Sequence, residues 1–281
     1  MVIISVIVTA LAAYILIFIF SKLFRQNNIM SLNFRKEMIP TALGIIFPFG
    51  YMISILPYAV ILEFGSLKYF IKLSYLLWSF SLLGLLDDLF GNGDSKGIKG
   101  HLRAFIKKKL VTTGLLKAIF GLIISLIIVL LMFQDPTVWD FTIAVDIFVS
   151  SFIIALSANA MNSLDLKPGR AGKVFLLLSL LSAVFTKSWQ SSHIISFIGM
   201  VLIYLPGDLR GNYMLGDTGA NILGAFLGGY AVFFFSLEVK LIILITLIVF
   251  HYTIEVTSLS RLIETTPLLS HIDEWGRDKI H

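Results

Sequence analysis

Long apolar runs, each close to the length of a membrane-crossing helix and separated by short polar islands, set the pattern of this chain. Nine runs can be marked, roughly Val2–Phe20, Ile39–Leu62, Phe70–Leu86, Thr113–Met132, Ile143–Ala160, Val174–Phe185, Ile194–Pro206, Gly219–Leu237 and Leu241–Ile263. They predict an all-α fold: a polytopic integral membrane helical bundle of about nine transmembrane helices, eight to ten, forming a single domain over residues 1–281. Ala10-Leu11-Ala12 has the small residues of a cleavage site, but no basic segment precedes it, so the first run is read as an anchor.

Composition agrees with that pattern. Of 281 residues, 57% are hydrophobic and 14% charged, and the mean hydropathy is +0.91, values of a polytopic membrane protein rather than a soluble domain. The absence of cysteine excludes disulfides, thiolate zinc sites and a thiol nucleophile.

The net charge of +5 gains meaning once it is placed on the loops. With the amino terminus outside, one set of connections carries Lys22, Arg25, Arg35, Lys36, Lys96, Lys99, Arg103, Lys107, Lys108, Lys109, Lys167, Arg170, Lys173, Arg210, Arg261, Arg277 and Lys279. The other set carries only Lys68, Lys72, Lys187 and Lys240, a strong positive-inside bias. The same orientation brings Asp87, Asp88, Asn162, Asp165 and Asp217 to the cytoplasmic face, in loops near 87–111, 159–173, 207–221 and 264–281.

Three of these loops carry candidate chemistry. Asp87-Asp88 ends the third run and is followed by Leu89-Phe90-Gly91; carboxylates at the mouth of a membrane segment are costly unless a cation, a partner or a substrate holds them. Beyond them, Ile98, Leu102, Phe105, Ile106 and Leu110 recur at helical spacing among His101, Arg103, Lys107, Lys108 and Lys109, the pattern of an interfacial amphipathic helix that attracts membrane lipids or gathers an anionic substrate. Lys117 lies about one turn inside the next run, where its ammonium requires an anion: Asp87 or Asp88, or a phosphate.

In Asn159-Ala160-Met161-Asn162-Ser163-Leu164-Asp165 the two amides stand one helical turn apart with a carboxylate just beyond, a set suited to an oxygen-ligated cation or to sugar and phosphate. Asn159 by itself is what a helix-end cap would look like. Pro168 and Gly169 then end the helix. In Leu215-Gly216-Asp217-Thr218-Gly219-Ala220-Asn221 the glycines allow close backbone approach, and Asp217-Thr218 occupies the place of an N-cap. Carboxylates, amides and a lysine, with no histidine triad and no thiol, point to Mg²⁺ with phosphate rather than to zinc or acyl transfer.

Asp-Asp-Leu-Phe-Gly, Asn-Ala-Met-Asn-Ser-Leu-Asp and Leu-Gly-Asp-Thr-Gly-Ala-Asn, in this order, resemble the signature loops of the polyprenyl-phosphate N-acetylhexosamine-1-phosphate transferases, glycosyltransferase family 4, and Ile39-Pro40-Thr41-Ala42-Leu43-Gly44 resembles an early Pro-Thr stretch of that family. The resemblance runs from about residue 39 to residue 225. It implies an enzyme that moves a sugar 1-phosphate from a UDP-sugar to undecaprenyl phosphate, releasing UMP, with Mg²⁺ (or Mn²⁺) as cofactor. The setting it implies is the cytoplasmic face of a bacterial plasma membrane, in cell-envelope polysaccharide or peptidoglycan-type assembly; a homodimer is allowed and nucleic acid is no partner.

Carried over by position, Asp87 is the base that deprotonates the lipid phosphate, with Asp88 beside it. Asp217 holds the metal, with Asp88 as the second candidate ligand, while Asn162 and Asp165 face metal and pyrophosphate. Lys117 contacts phosphate, and Asn159 and His271 are candidates for binding substrate. Direct attack and an aspartyl-phosphate intermediate both remain open.

Departures from the family pattern bear on the substrate. Three positions after Asp165 the family usually has another acid, and Pro168 stands here; of its histidine-rich loop, Thr266-Pro267-Leu268-Leu269-Ser270-His271 keeps only His271; and a tenth run is missing, which places the carboxyl terminus inside.

Among the remaining residues, His251 and Glu255, one turn apart in the last run, are read as an internal pair joining helices, with a proton relay as the sharper alternative. His101 and His281 are read as interfacial or solvated, and the phenylalanines as lipid-facing bulk. Two other classes compete: a transporter of lipid-linked sugar, disfavoured because no internal repeat is visible, and a catalytically altered relative that only binds polyprenyl phosphate.

Overall fold

The computed structural model describes residues 2–56, 64–91, 112–133, 140–186 and 192–277. In chain order it contains α1 (Val2–Gln26), the short hairpin strands β1 (Met30–Leu32) and β2 (Met38–Pro40), a 3-10 turn (Leu43–Ile45), α2 (Ile46–Ile53), α3 (Phe64–Phe90), α4 (Thr113–Met132), α5 (Phe141–Leu164), α6 (Arg170–Thr186), α7 (Ser192–Leu209), α8 (Gly216–Phe234), α9 (Leu237–Val256), α10 (Leu259–Thr265) and α11 (Pro267–Glu274). This is an all-α polytopic membrane protein. Among the described residues, five helices are long and apolar enough to cross a bilayer: Ile3–Gln26, Phe70–Phe90, Thr113–Met132, Phe141–Leu164 and Leu237–Val256.

Each predicted run coincides with a helix, with three revisions. The second run breaks into the 3-10 turn and α2, and its last residues, with the amphipathic stretch Ile98–Leu110, lie outside the described residues. The segment before it pairs as an antiparallel hairpin, Met30 opposite Pro40, which the sequence reading did not anticipate. The ninth run stops at Val256, where Thr257 turns extended (φ −126°, ψ 147°), and resumes as α10.

Helix α8 is the axis. Most of its residues are buried, and it packs on α3, α5 and α6. Its crossing with α5 is so close that a Cβ on Gly224 would lie 2.1 Å from the Ser157 carbonyl oxygen, and one on Gly228 2.7 Å from the Ile154 Cα. Apolar attraction between helices is weak in lipid, so contact at backbone distance between small residues supplies the association.

Aromatic rings fill the rest of the core. Phe197 stacks on Phe226 at 4.2 Å, Phe175 meets both, and Phe47 packs edge-on against Tyr204. The reading of phenylalanine as lipid-facing bulk is corrected here: Phe47, Phe175, Phe197 and Phe226 are fully buried, because helices held apart by large side chains need planar rings to fill the gaps. Helices α1 and α9 instead present their apolar side chains outward, Ile3, Tyr14, Phe18, Ile242 and Tyr252 among them.

One charged pair lies inside the bundle away from the islands. Lys240 of α9, almost fully buried, donates to Asp146 of α5 at 2.8 Å, and Ser150 adds a bond to the same oxygen. Removing one partner would leave the other buried and uncompensated. Asp146→Ala is therefore expected to lower stability by about 3–5 kcal/mol, read as a fall in detergent Tm that Asp146→Ala/Lys240→Met partly recovers.

Candidate active site

The helix ends that carry the islands meet at one end of the bundle. Asp87 and Asp88 close α3, Lys117 is in the first turns of α4, Asn162 and Asp165 finish α5, Asp208 finishes α7, and Asp217 opens α8. Strict alternation of helix direction places all of them together.

Asp88 decides how α8 is seated. Its Oδ1 accepts the Asp217 N–H at 2.9 Å, and its Oδ2 accepts the Thr218 N–H at 2.9 Å and the Thr218 hydroxyl at 2.6 Å. A helix start leaves orphan N–H groups and a positive dipole end, and a carboxylate satisfies both. The N-cap expected of Asp217-Thr218 is therefore supplied across the bundle: α8 begins at Gly216, Asp217 is in its first turn, and Asp88 of α3 caps it.

This approach requires Gly84, one turn earlier on α3, where a Cβ would fall 2.4 Å from the Asp217 carbonyl oxygen. Gly84→Val is expected to push α3 off α8 and break the Asp88 cap. Its signature is loss of activity together with a lower Tm, from a stability loss of at least the ~1 kcal/mol that a lost cap costs.

Lys117 finds two anions. Its ammonium stands 2.5 Å from Asp217 Oδ2 and 3.7 Å from Asp87 Oδ2. Of the two sequence-level partners, Asp87 is met; Asp217 takes the place expected for Asp88. Asn162 also donates to Asp217 Oδ2, at 3.1 Å. Asn159 is no helix-end cap: it lies within α5 and its amide meets His251 Nε2 at 2.9 Å, so His251 joins α9 to α5 through an amide rather than through Glu255.

Two cavities flank this centre. The first, about 450 Å³, is lined by polar Asp87, Lys117, Asn159, Asn162, Asn221 and His251 together with apolar Phe80, Leu122, Phe152, Leu156 and Ile254. The second, about 370 Å³, gathers the carboxylates of Asp88, Asp165, Asp208 and Asp217 among apolar neighbours such as Ile39, Leu166, Met214 and Leu215, and Asn33 and Phe34 of the hairpin also line it. Asn33 holds the hairpin turn by accepting from the Arg35 and Glu37 N–H groups, and its amide donates to the Gly211 carbonyl. The Pro-Thr stretch is stitched to the third island by Met214 N–H to Pro40 O at 2.8 Å and Leu43 N–H to Met214 O at 3.1 Å.

Asp165 reports the electrostatics of the second cavity. Burial pushes its carboxyl well above the usual range, and the neighbouring charges of Asp208, Asp217 and Asp88 push it further the same way. Asp208, which the sequence reading missed, is buried and accepts the Gly169 N–H at 2.9 Å, so it holds the loop that carries Pro168.

The donor set suits a hard divalent cation in kind, since only oxygens and carboxylates are offered. Among the described residues no three Asp, Glu or His side chains form a ready-made metal cluster. A cation is nonetheless present between Asp87 and Asp217, in the form of the Lys117 ammonium.

The carboxyl-terminal helices fold back on the second island. Arg170 makes a bidentate pair with Asp273 at 2.7 and 2.9 Å, both nearly fully buried. Lys173 donates to the carbonyls of Ile272, Asp273 and Trp275, and Arg277 reaches Asp273 and the Pro168 carbonyl. In the sequence Arg170 counted only toward the inside positive charge; nothing local marks Asp273 as its partner. His271 is exposed on α11 and lines neither cavity.

The chain is 25% identical over 274 residues, 86% of its own length and 75% of the relative's, to the phospho-N-acetylmuramoyl-pentapeptide-transferase of Borreliella burgdorferi strain ZS7, and equally to that of strain B31. The corresponding protein of Borreliella afzelii strain PKo is 24% identical over the same span. The chain resembles the polyprenyl-phosphate N-acetylhexosamine-1-phosphate transferase family. The likeness read from three motifs thus extends over most of the chain, and its relatives are phosphotransferase enzymes of cell-wall biogenesis. No protein-family profile matches it.

Proposed function

We propose that this protein transfers a sugar 1-phosphate, of N-acetylhexosamine type, from a UDP-sugar to undecaprenyl phosphate at the cytoplasmic face of a bacterial plasma membrane, with release of UMP. The observation that carries the reading is the pair of cavities on either side of the Asp217–Lys117 pair, one mostly apolar with Lys117 and three amides in its lining and the other carrying four carboxylates. A long-chain lipid phosphate fits the first and a nucleotide sugar fits the second.

In this reading the Asp87 carboxylate takes the proton of the lipid phosphate. A phosphate oxygen then attacks the β-phosphorus of the UDP-sugar; the new P–O bond joins lipid to sugar phosphate, and the bond to the bridging oxygen breaks with its electrons leaving on UMP. Lys117 offsets the negative charge of two phosphates brought together. Asp217, with Asp88 and Asp165 near it, would hold Mg²⁺, which supplies charge neutralisation on the pyrophosphate when bound. Asn162 orients Asp217, and Asp88, through its cap, fixes where α8 begins. Bound there, Mg²⁺ would share the Asp217 carboxylate with the Lys117 ammonium, which already pairs with it.

The test is UMP release by purified protein in detergent with Mg²⁺, undecaprenyl phosphate and a panel of UDP-sugars. Release that requires both substrates is expected. A transporter or a relative that only binds the lipid gives no UMP under any of these conditions, and that result would reject the transferase.

A further inference from the structure

Asn221 has no place in the chemistry above. It lies on α8 one turn beyond Asp217, on the same face of the helix, and it lines the apolar-walled cavity with Lys117, Asn159 and Asn162. Its side chain is fully buried, 0% exposed, and among the described residues neither its Oδ1 nor its Nδ2 has a hydrogen-bond partner. A buried amide with both ends unpaired is expensive, and native proteins rarely keep one without a use. The neighbouring amides are engaged: Asn162 with Asp217, Asn159 with His251.

Packing does not account for an amide here. Three residues on, Gly224 brings α8 to backbone contact with Ser157 on α5, so the helix is already held without help from Asn221. A leucine has nearly the same volume and would remove the unpaired groups. The ligand that answers the amide must enter the cavity from the apolar side, carry hydrogen-bond acceptors, and tolerate a donor as well. A phosphate monoester at the head of a hydrocarbon chain satisfies all three: its oxygens accept from Nδ2 and, when singly protonated, its hydroxyl donates to Oδ1.

We infer that Asn221 is a binding residue for the acceptor lipid, hydrogen-bonding its phosphate one helical turn deeper in the membrane than Asp217. The inference rests on the transferase reading for the identity of that lipid. Asn221 thereby sets how far the head group descends and presents the attacking oxygen between Asp87 and Lys117. It is a positioning contact rather than a participant in proton transfer.

The experiment measures binding of undecaprenyl phosphate to the full-length protein in detergent without nucleotide sugar, comparing wild type with Asn221→Leu and using undecaprenol as the control ligand. The variant is expected to bind the phosphate roughly 10- to 100-fold more weakly, to bind undecaprenol unchanged, and to keep or raise its Tm because an unpaired amide has gone. Undiminished phosphate binding, an equal loss of undecaprenol, or a lowered Tm with both ligands affected would overturn the assignment. In a separate titration with UDP-N-acetylglucosamine alone the variant is expected to match wild type; a loss confined to that ligand would also overturn the assignment, by moving the amide to the nucleotide side. If Asn221→Leu does not fold, Asn221→Ala carries the same comparison. Wild-type protein that binds undecaprenyl phosphate but releases no UMP would end the transferase reading and leave this site standing; turnover with an unaffected Asn221 variant would do the reverse.

Discussion

Asp217→Asn is expected to lower kcat by at least roughly 10³-fold, the scale on which charge stabilisation of a transferring phosphoryl group operates, with little change in Tm. The substitution keeps the shape of the side chain, and the cap on α8 survives because Asp88 accepts from the backbone of Asp217 rather than from its carboxyl. What is lost is the charge that answers Lys117 at 2.5 Å. The ammonium then pairs with Asp87 alone, the group assigned to deprotonate the lipid phosphate. Asp87→Asn should be about as damaging, and the double variant no worse than either single one, since the residues act as a unit. Circular dichroism and Tm establish folding; UMP release measures the effect.

The second large effect concerns stability. Asp273→Ala leaves the Arg170 guanidinium buried without its bidentate partner, which costs about 3–5 kcal/mol, and it removes the side-chain tie between α11 and the start of α6, leaving the Arg277 and Lys173 bonds to backbone carbonyls in place. Burial by itself would raise the Asp273 carboxyl, but hydrogen bonds from Arg170 and Arg277 outweigh it and hold it at about 2. A carboxyl depressed on folding stabilises the protein above its unfolded pKa, near 4, and loses that contribution as pH falls through about 2. Wild-type Tm should therefore drop steeply between pH 4 and pH 2, and Asp273→Ala should show a lower Tm at neutral pH with a flatter decline over the same window. A parallel decline in both proteins would remove the pair from the account.

Most of the architecture was legible because it follows from the solvent. A bilayer demands long apolar helices with no unpaired backbone, so the helical class and the order of the helices can be read from hydrophobicity alone, while the nine runs marked exceed the five described helices long and apolar enough to cross. The break at Thr257 and the hairpin at 30–40 were not legible: neither changes the hydrophobic pattern, and both depend on contacts made far along the chain, such as Asn33 to Gly211. The acidic centre was visible through the cost of carboxylates at membrane depth, which singles out Asp87, Asp88 and Asp217 in any apolar chain. Lys117 was predicted to need an anion on the same grounds, though the choice between neighbouring carboxylates was made by helix packing.

Arg170, Asp208, Asp273 and Asn221 were missed for different reasons. Arg170 and Asp273 are each ordinary in a polar segment and become notable only when 103 residues of chain bring them together. Asp208 followed a proline and a glycine at a helix end, where a carboxylate draws no attention. Asn221 stood beside Asp217 in the third island, but its significance lies in the absence of a partner, which no sequence displays.

In the proposed reaction a lipid phosphate and a nucleotide sugar meet at Asp217 and Lys117 and exchange a phosphoryl bond there. The most direct measurement follows a radiolabel in the β-phosphate of the UDP-sugar. With Mg²⁺ and undecaprenyl phosphate, the account predicts label in a lipid product and unlabelled UMP in solution, both lost in Asp217→Asn. Label that stays in the water-soluble fraction with wild-type protein, or that reaches lipid equally well in Asp217→Asn, would contradict it.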